Sequence, residues 1–130
     1  MNTILTLLII YEGKETIMKL KELTEALSLD VKTSGVDLDR EVTGGYVSDL
    51  LSDVIGNAKE GFLWVTLQVH LNIVAVASLK GLSGIILVNG RTPDQETLRK
   101  AEQENVPILA STLPTFELVG RLYSLGLRCL

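Results

Sequence analysis

The chain has few of the residues from which the common catalytic and metal sites are built. Its 130 residues include one cysteine, Cys129, and one histidine, His70. A single cysteine excludes an internal disulfide framework, and a single histidine excludes every site that needs two. A metal would have to be held by His70 together with carboxylates, and we predict neither a metal site nor a cofactor.

Signature motifs of several enzyme classes are also missing. The sequence contains no Gly-x-x-x-x-Gly-Lys-Ser/Thr phosphate-binding loop, no Gly-x-Gly-x-x-Gly dinucleotide turn and no Gly-x-Ser-x-Gly nucleophile turn. A lone histidine without an obvious nucleophile nearby in sequence gives no argument for a catalytic triad. These absences weigh against an enzyme.

Basic charge and long apolar runs are scarce as well. Twelve lysines and arginines stand against sixteen acidic residues, for a net charge of −4, so no footprint for nucleic acid or anionic lipid is present. No apolar run approaches the ~20 residues that a membrane-spanning helix needs. The apolar stretch at residues 4–11 has neither a basic residue before it nor a small-residue cleavage site after it. We predict a soluble, cytoplasmic protein that binds neither nucleic acid nor membrane.

The N-terminal seventeen residues differ from the rest of the chain. Residues 4–10 are almost continuously apolar, and residues 12–15 are polar. Two interpretations are open: a strand at the edge of the sheet, or an extension ahead of a true start at Met18. We therefore divide the chain into an extension, residues 1–17, and one domain, residues 18–130, a length that fits a single core.

From residue 18 onward the hydrophobic pattern predicts helices that alternate with strands. Helical spacing favours helices over 20–27 and 47–58, an apolar helix over 71–79, and two more after Thr92 and Thr112. Short β-branched and aliphatic runs favour strands at 31–34, 62–67, 85–88 and 106–110. This alternation predicts an α/β domain with a mostly parallel sheet between helical layers.

The pattern of side chains also predicts part of the core and features of the last two helices. The core is predicted to contain Leu50, Leu51, Val54, Ile86 and Val88. Thr92 is predicted to cap the helix that follows it, with Pro93 in the first turn. The last helix is predicted to carry Phe116, Val119 and Tyr123 on one stripe.

Small polar residues follow the predicted strands. Because ligands of such folds bind beyond the carboxyl ends of parallel strands, and exposed helix N-termini there favour anions, these residues predict a site for a small anion. The simpler alternative is that they cap the helices. The candidates are Thr66, Gln68, His70, Asn72, Asn89, Gly90 and Thr112.

A further set of motifs resembles the DRTGG domain family. The motif is carried by Asp39-Arg40 and by Thr43-Gly44-Gly45, with Glu41-Val42 between the two halves and the sequence Tyr-Val-Ser-Asp-Leu-Leu-Ser-Asp after them. Residues 67–77 and 84–90 are similar to later parts of the same family. The resemblance covers residues 18–130 and is that of a stand-alone member.

The resemblance implies a three-layer α/β/α fold, similar to the N-terminal domain of HPr kinase/phosphatase. It adds Asp39, Arg40, Thr43, Gly44 and Gly45 to the candidate ligand-binding residues. In phosphotransacetylases and CBS-domain pyrophosphatases such domains resemble regulatory or dimer-forming modules, and short members often lie beside genes for iron hydrogenases. Some members carry the label "serine kinase", which we reject for this chain because the phosphate-binding loop is absent.

We therefore predict a non-catalytic regulatory or interaction module. It is expected to form a homodimer, to sense a small anionic ligand such as a nucleotide or phosphate compound, and to meet a protein partner, with an iron-hydrogenase system as one association. Two alternatives stay open: an enzyme of unrecognised type that uses His70, and an assembly partner of a redox complex that binds no ligand.

Overall fold

The computed structural model describes residues 18–130. Both interpretations of residues 1–17, and the division of the chain at residue 18, fall outside the described residues and stay predictions. The described elements are, in chain order, β1 (Met18–Lys19), α1 (Leu20–Ala26), β2 (Asp30–Val31), β3 (Glu41–Val42), β4 (Gly44–Val47), α2 (Leu51–Asn57), β5 (Phe62–Thr66), α3 (Asn72–Lys80), β6 (Gly84–Leu87), α4 (Gln95–Gln103), β7 (Ile108–Ala110) and α5 (Thr115–Ser124).

The main sheet has five strands in the order β2-β7-β6-β5-β4. Strands β4 to β7 are parallel, and only the short β2 runs antiparallel, against β7. Strands β1 and β3 form a separate two-stranded antiparallel ribbon. The prediction of a mostly parallel sheet is therefore confirmed. Since the four parallel strands point the same way, their last residues share one end of the sheet, the carboxyl end, and their first residues share the amino end.

Helices cover both faces of the sheet, as a three-layer α/β/α fold requires. Side chains alternate between the faces along each strand, so Trp64 of β5 packs on the side of α2, α3 and α4, together with Val54, Ile73 and Ala101. Leu63 and its neighbours on the opposite face belong to a second core cluster, to which α1 contributes Leu20 and Leu23, and α5 contributes Leu118 and Leu122. Among the described residues no helix is long and apolar enough to cross a membrane.

The predicted helix over residues 47–58 is wrong in its first turn. Residues Gly44–Val47 form β4, which pairs in parallel with β5 from Gly44 opposite Phe62 to Val47 opposite Val65, and the helix begins only at Leu51. The apolar spacing was helical, but pairing with a buried central strand outweighs a weak local preference.

The predicted core is correct on the sheet and only partly correct on α2. Val54, Ile86 and Val88 are buried, Leu51 is half-buried, and Leu50 is 64% exposed. Leu50 was placed in the core by helical spacing, yet it precedes the helix and therefore lies off its buried face.

Two further helix predictions need correction. Helix α4 begins at Gln95, with Asp94 rather than Thr92 at the N-cap position. Helix α5 buries Leu118 and Leu122, whereas Phe116 is 88% exposed and Tyr123 is 59% exposed. Both stripes of α5 are apolar at helical spacing, so periodicity could not decide which of them faces the sheet.

Candidate functional site

The seven candidate residues that follow predicted strands are all found at the carboxyl end of the sheet. Thr66 ends β5, His70 lies in the loop after it, and Asn72 is the first residue of α3. Asn89 and Gly90 follow β6, and Thr112 follows β7. Parallel pairing therefore brings this group together, as the sequence predicted.

An aspartate that sequence reasoning missed organises this end of the sheet. The Asp49 carboxylate oxygen Oδ1 accepts hydrogen bonds from the Thr66 hydroxyl at 2.8 Å and from the Leu67 N–H at 2.8 Å. The Gln68 side-chain amide donates to the Asp49 carbonyl oxygen at 3.0 Å, and the Thr66 hydroxyl also accepts from the Gln68 N–H at 3.1 Å. Thr66 is buried, so it positions the loop between β5 and α3 rather than presenting its hydroxyl to solvent.

Asp49 was missed because the sequence predicted a helix that begins at residue 47, with Asp49 on its solvent-exposed side. The helix begins only at Leu51, so Asp49 lies in the turn between β4 and α2. A local signal was available in the sequence. Ser48 is a residue that forms side-chain turns at the ends of strands, and its hydroxyl accepts a hydrogen bond from the Leu50 N–H at 3.1 Å. Such a turn ends β4 and points Asp49 toward the end of β5.

The one histidine of the chain is held by a second aspartate. His70 Nδ1 lies 2.9 Å from Asp94 Oδ2, and both side chains are more than half exposed. Asp94 occupies the N-cap position of α4 but makes no side-chain cap there, because its carboxylate pairs with His70 instead. The pair fixes one nitrogen of the ring and leaves Nε2 free to bond with another group.

Three helices begin at the carboxyl end without side-chain caps. Helices α3, α4 and α5 have nine, nine and ten residues, and none of their N-cap residues makes a side-chain hydrogen bond to the first turn. The alternative interpretation, in which the small polar residues simply cap these helices, is therefore wrong. In α3 the N–H groups of Ile73 and Val74 already donate to the His70 and Leu71 carbonyls, each at 3.1 Å. First-turn N–H groups without such a partner carry partial positive charge and attract anionic or strongly hydrogen-bond-accepting groups.

The loops after β6 and β7 are fastened to each other. Asn89 and Gly90 both adopt positive φ, 59° and 70°, a conformation that asparagine and glycine tolerate best. In this turn the Asn89 N–H donates to the Leu113 carbonyl at 2.8 Å, and the Gly90 N–H donates to the Ser111 carbonyl at 3.0 Å. The turn thereby holds the start of α5 against the end of β6.

The residues of the DRTGG motif lie toward the opposite end of the sheet, with their polar side chains bonded to the protein. Lys19 Nζ lies 3.2 Å from Asp39 Oδ1 in an exposed ion pair. The Arg40 guanidinium donates from Nε to the Asp37 carbonyl at 2.8 Å and from Nη2 to the Asn105 carbonyl at 2.9 Å. Partial burial lowers the pKa of Arg40, while the charge of Asp37 opposes that shift.

The threonine and glycines of the motif pack closely against neighbouring chain. The Thr43 hydroxyl donates to the Glu60 carbonyl at 3.0 Å. A Cβ on Gly44 would lie 2.5 Å from the Arg128 carbonyl oxygen and 2.6 Å from the Phe62 ring, so only glycine fits there. The Gly45 N–H donates to the same carbonyl at 3.0 Å. The structure therefore brings together the residues after the strands, but it does not bring Asp39, Arg40 and Thr43 to them.

A hydrogen-bonded group links β4 to α2 next to the site. The Tyr46 hydroxyl donates to Asp53 Oδ1 at 2.9 Å, and the Asn57 amide donates to the same oxygen at 2.9 Å. Hydroxyl groups of Ser48 and Tyr46 lower the pKa of Asp53, and the bond to Asp53 raises the pKa of Tyr46. Across residues 18–130, no three histidine, cysteine or acidic side chains come close enough to hold a metal ion.

Comparison with known proteins agrees with the resemblance in the sequence. Residues 65–125, just under half of the chain, match the model of the DRTGG domain family. The matched range includes the candidate residues from Thr66 to Thr112 and leaves out residues 39–45, which carry the motif itself. No curated protein matches the sequence.

One similar solved structure contains the CBS and DRTGG domains of the regulatory region of Clostridium perfringens pyrophosphatase, in complex with the activator diadenosine tetraphosphate. The TM-score is 0.67 at 19% identity, over 85% of this chain and 48% of that one. This chain thus spans about half the length of that structure and shares its fold over most of its own length. Residues 65–125 are therefore similar in sequence to the DRTGG domain family, and the fold of the chain is similar to that of a structure that contains a DRTGG domain.

Proposed function

We propose that this chain is a non-catalytic regulatory module that binds a nucleotide at the carboxyl end of its sheet. The observation that carries the proposal is the convergence there of three uncapped helix N-termini with the exposed side chains of His70, Asn72 and Asn89. First-turn N–H groups that have no partner within the helix donate hydrogen bonds to phosphate oxygens.

The charges at this end favour a nucleotide over a bare phosphate ion. Two carboxylates, Asp49 and Asp94, lie beside the uncapped helices, and each repels an anion that approaches closely. A nucleotide offers hydroxyl and amino donors that a carboxylate can accept, as well as phosphate oxygens for the N–H groups. A ligand with both kinds of group suits this mixture better than inorganic phosphate does.

The similar pyrophosphatase structure supports a regulatory role of the same kind. It belongs to the regulatory region of that protein and is complexed with a dinucleotide activator. Homodimer formation, a protein partner and an association with iron hydrogenases stay predictions. An enzyme that uses His70 also stays an alternative, because an oriented imidazole is a common general base.

Isothermal titration calorimetry of the full chain with diadenosine tetraphosphate, ATP and inorganic phosphate tests the proposal. We expect binding of at least one of the nucleotides and much weaker binding of phosphate. His70→Ala and Asn72→Ala should each weaken nucleotide binding about tenfold, equivalent to ~1.4 kcal/mol. Arg40→Ala, toward the other end of the sheet, is the control and should leave the affinity unchanged.

Two outcomes would contradict the proposal. One is that neither nucleotide binds at millimolar concentration while circular dichroism shows a folded protein, which would favour an assembly partner without a ligand. The other is that Arg40→Ala abolishes binding and His70→Ala does not, which would move the site to the DRTGG motif.

A further inference from the structure

The turn after β6 contains the single Asn-Gly pair of the sequence. The φ angles of Asn89 and Gly90 are 59° and 70°, and the Arg91 N–H donates to the Val88 carbonyl at 3.1 Å. Positive φ at both central residues, with a hydrogen bond across the turn, is typical of a type I′ turn, and Asn-Gly is the pair that such turns prefer. Backbone geometry therefore explains why these two residues stand here.

The same pair of residues is chemically labile. The backbone nitrogen of Gly90 bonds to Cγ of Asn89, the bond from Cγ to Nδ2 breaks, and the proton of the Gly90 N–H passes through solvent to the leaving nitrogen, which departs as ammonia. The product is a cyclic succinimide, and water opens it at either carbonyl to leave aspartate or isoaspartate. Glycine favours this reaction because it has no Cβ to crowd the ring.

The surroundings of Asn89 leave room for the ring to form. Asn89 and Gly90 are both exposed, and the hydrogen bonds of Asn89 within residues 18–130 are made by its backbone. A Cβ built on Gly90 would meet no atom within 4 Å. The side-chain amide is therefore accessible to water, and the attacking nitrogen is not crowded by other parts of the described chain.

The other asparagines of the described range are held in place or crowded. Nδ2 of Asn57 donates to a carboxylate of its own helix at 2.9 Å, and Oδ1 of Asn105 accepts a backbone N–H at 3.0 Å. Asn72 and Asn105 are each followed by a buried, β-branched residue, which crowds the nitrogen that would have to attack. Asn89 is therefore the asparagine of this range that is most open to the reaction.

One hydrogen bond slows the reaction in the folded protein. The Gly90 N–H, the group that has to lose its proton, donates to the Ser111 carbonyl at 3.0 Å. The attack therefore requires the loops after β6 and β7 to part locally, and such an opening at an exposed turn costs less free energy than unfolding of the whole domain. The folded chain should react at Asn89 more slowly than the unfolded chain, but without having to unfold.

We propose that Asn89 is a site of spontaneous deamidation, and that the product weakens the nucleotide site at this end of the sheet. The second part rests on the function proposed above. Isoaspartate adds one carbon atom to the main chain between the N–H groups of Asn89 and Gly90, which now bond to the Leu113 and Ser111 carbonyls at 2.8 and 3.0 Å. Both products also add a negative charge to an end that already carries two carboxylates, and this charge repels phosphate.

Peptide mapping by mass spectrometry tests the modification without any ligand. The full chain is held in mildly alkaline buffer at physiological temperature beside a sample denatured in guanidinium. In the folded chain, Asn89 should convert roughly tenfold faster than Asn105, whose attacking nitrogen is crowded by a branched neighbour. It should convert several-fold more slowly than Asn89 in the denatured chain. An isoaspartyl methyltransferase with a labelled methyl donor should mark the same peptide.

A matched pair of variants tests the effect on binding. Aspartate and glycine both tolerate the positive φ of position 89. Asn89→Asp reproduces one product and should weaken the binding of ATP about tenfold in calorimetric titration, whereas Asn89→Gly adds no charge and should weaken it several-fold less. Asn89→Gly also removes the reacting amide, so the methyltransferase should no longer label this peptide.

The two parts of the proposal fail in different ways. A folded chain that keeps Asn89 intact while the denatured chain converts would overturn the modification, and so would equal conversion at Asn57 or Asn105. Equal ATP affinities of Asn89→Asp and Asn89→Gly would overturn the effect on binding. If the unaltered protein binds no nucleotide, the proposed function and the effect on binding fail together, and the peptide map still decides whether Asn89 is modified.

Discussion

The two ends of the parallel sheet carry the same kinds of residue and differ in what those residues bond to. At the amino end and its approaches, Asp39 pairs with Lys19, Arg40 bonds to two backbone carbonyls, and Thr43 bonds to a third. At the carboxyl end, three helices begin without caps, and His70 and Asn72 are exposed. A polar group that is already bonded within the protein serves the fold, whereas one that is not bonded can serve a ligand.

A conspicuous sequence motif need not mark the binding surface. Thr-Gly-Gly stands out in the sequence, yet Gly44 is required by the close approach of Arg128 and Phe62. The less conspicuous residues after β5 and β6 meet only because parallel strands end together. Substitutions at Gly44, Asp49 and Tyr46 test this difference between the two ends. The largest loss of stability is expected at Gly44, in the motif.

Gly44→Ala should destabilise the fold by ~1–3 kcal/mol, the usual range for forcing a methyl group into a packed site. The added Cβ would lie 2.5 Å from the Arg128 carbonyl oxygen, which belongs to backbone and cannot swing away. Urea denaturation of the full chain measures the change. Gly45→Ala is the matched control, because its Cβ would meet Leu127 at an ordinary 3.6 Å, and a loss there as large as at Gly44 would contradict the structural role of Gly44.

Asp49→Ala should cost ~1–3 kcal/mol of stability, because it leaves the buried Thr66 hydroxyl without its acceptor. Asp49→Asn keeps an oxygen in place and should lose less than half as much. Asp39→Ala breaks an ion pair in which the Asp39 side chain is 71% exposed. The loss of stability there should be only ~0–1 kcal/mol, because exposed ion pairs contribute little. Equal losses at Asp49 and Asp39, measured by chemical denaturation, would erase the distinction between the two ends.

The smallest effect on stability is expected from the hydrogen bond between Tyr46 of β4 and Asp53 of α2, and it should depend on pH. The pKa of Asp53 is lowered from 3.8 by the Ser48 and Tyr46 hydroxyls, so its contribution to stability is present above about pH 4 and is lost as the pH falls through the lower, folded value. The pKa of Tyr46 is raised from 10.0 by Asp53. Its contribution is present below about pH 10 and is lost as the pH rises through the higher, folded value.

Tyr46→Phe should therefore flatten the stability profile at both extremes of pH, as measured by the urea midpoint at each pH. Tyr123→Phe, on α5, is the control and should follow the unaltered protein. If Tyr46→Phe and the unaltered protein lose stability in parallel above about pH 10, the bond to Asp53 is not what couples Tyr46 to the fold.

Much of the layered fold could be predicted because its central elements are covered on both sides. Residues 62–67 and 85–88 are short apolar runs with turn residues after them, and they correspond to β5 and β6. Burial on both faces leaves such strands few polar positions, so their composition alone identifies them. Elements at the edge of the sheet were harder: β4 contains two glycines and is half-buried, and its hydrophobic spacing continued smoothly into α2.

The candidate site was predicted in outline and incomplete in detail. His70, Asn72 and Asn89 were found because polar residues after buried strands meet at one end of a parallel sheet. Asp49 and Asp94 were missed, since each bonds to a residue far away in sequence: Asp49 to Thr66, and Asp94 to His70. No local pattern specifies a partner 17 or 24 residues distant.

The sequence by itself determined the α/β class, the buried central strands and the group of polar residues that follows them. These features depend on composition and periodicity, which act within a few residues along the chain. The tertiary structure decided that Gly44–Val47 is a strand, that α5 turns Leu118 and Leu122 rather than Phe116 toward the sheet, and that the DRTGG motif and the residues after the strands stay apart. Each of these outcomes depends on pairing or packing between distant segments, whose free energy outweighs the small local preferences that a sequence pattern records.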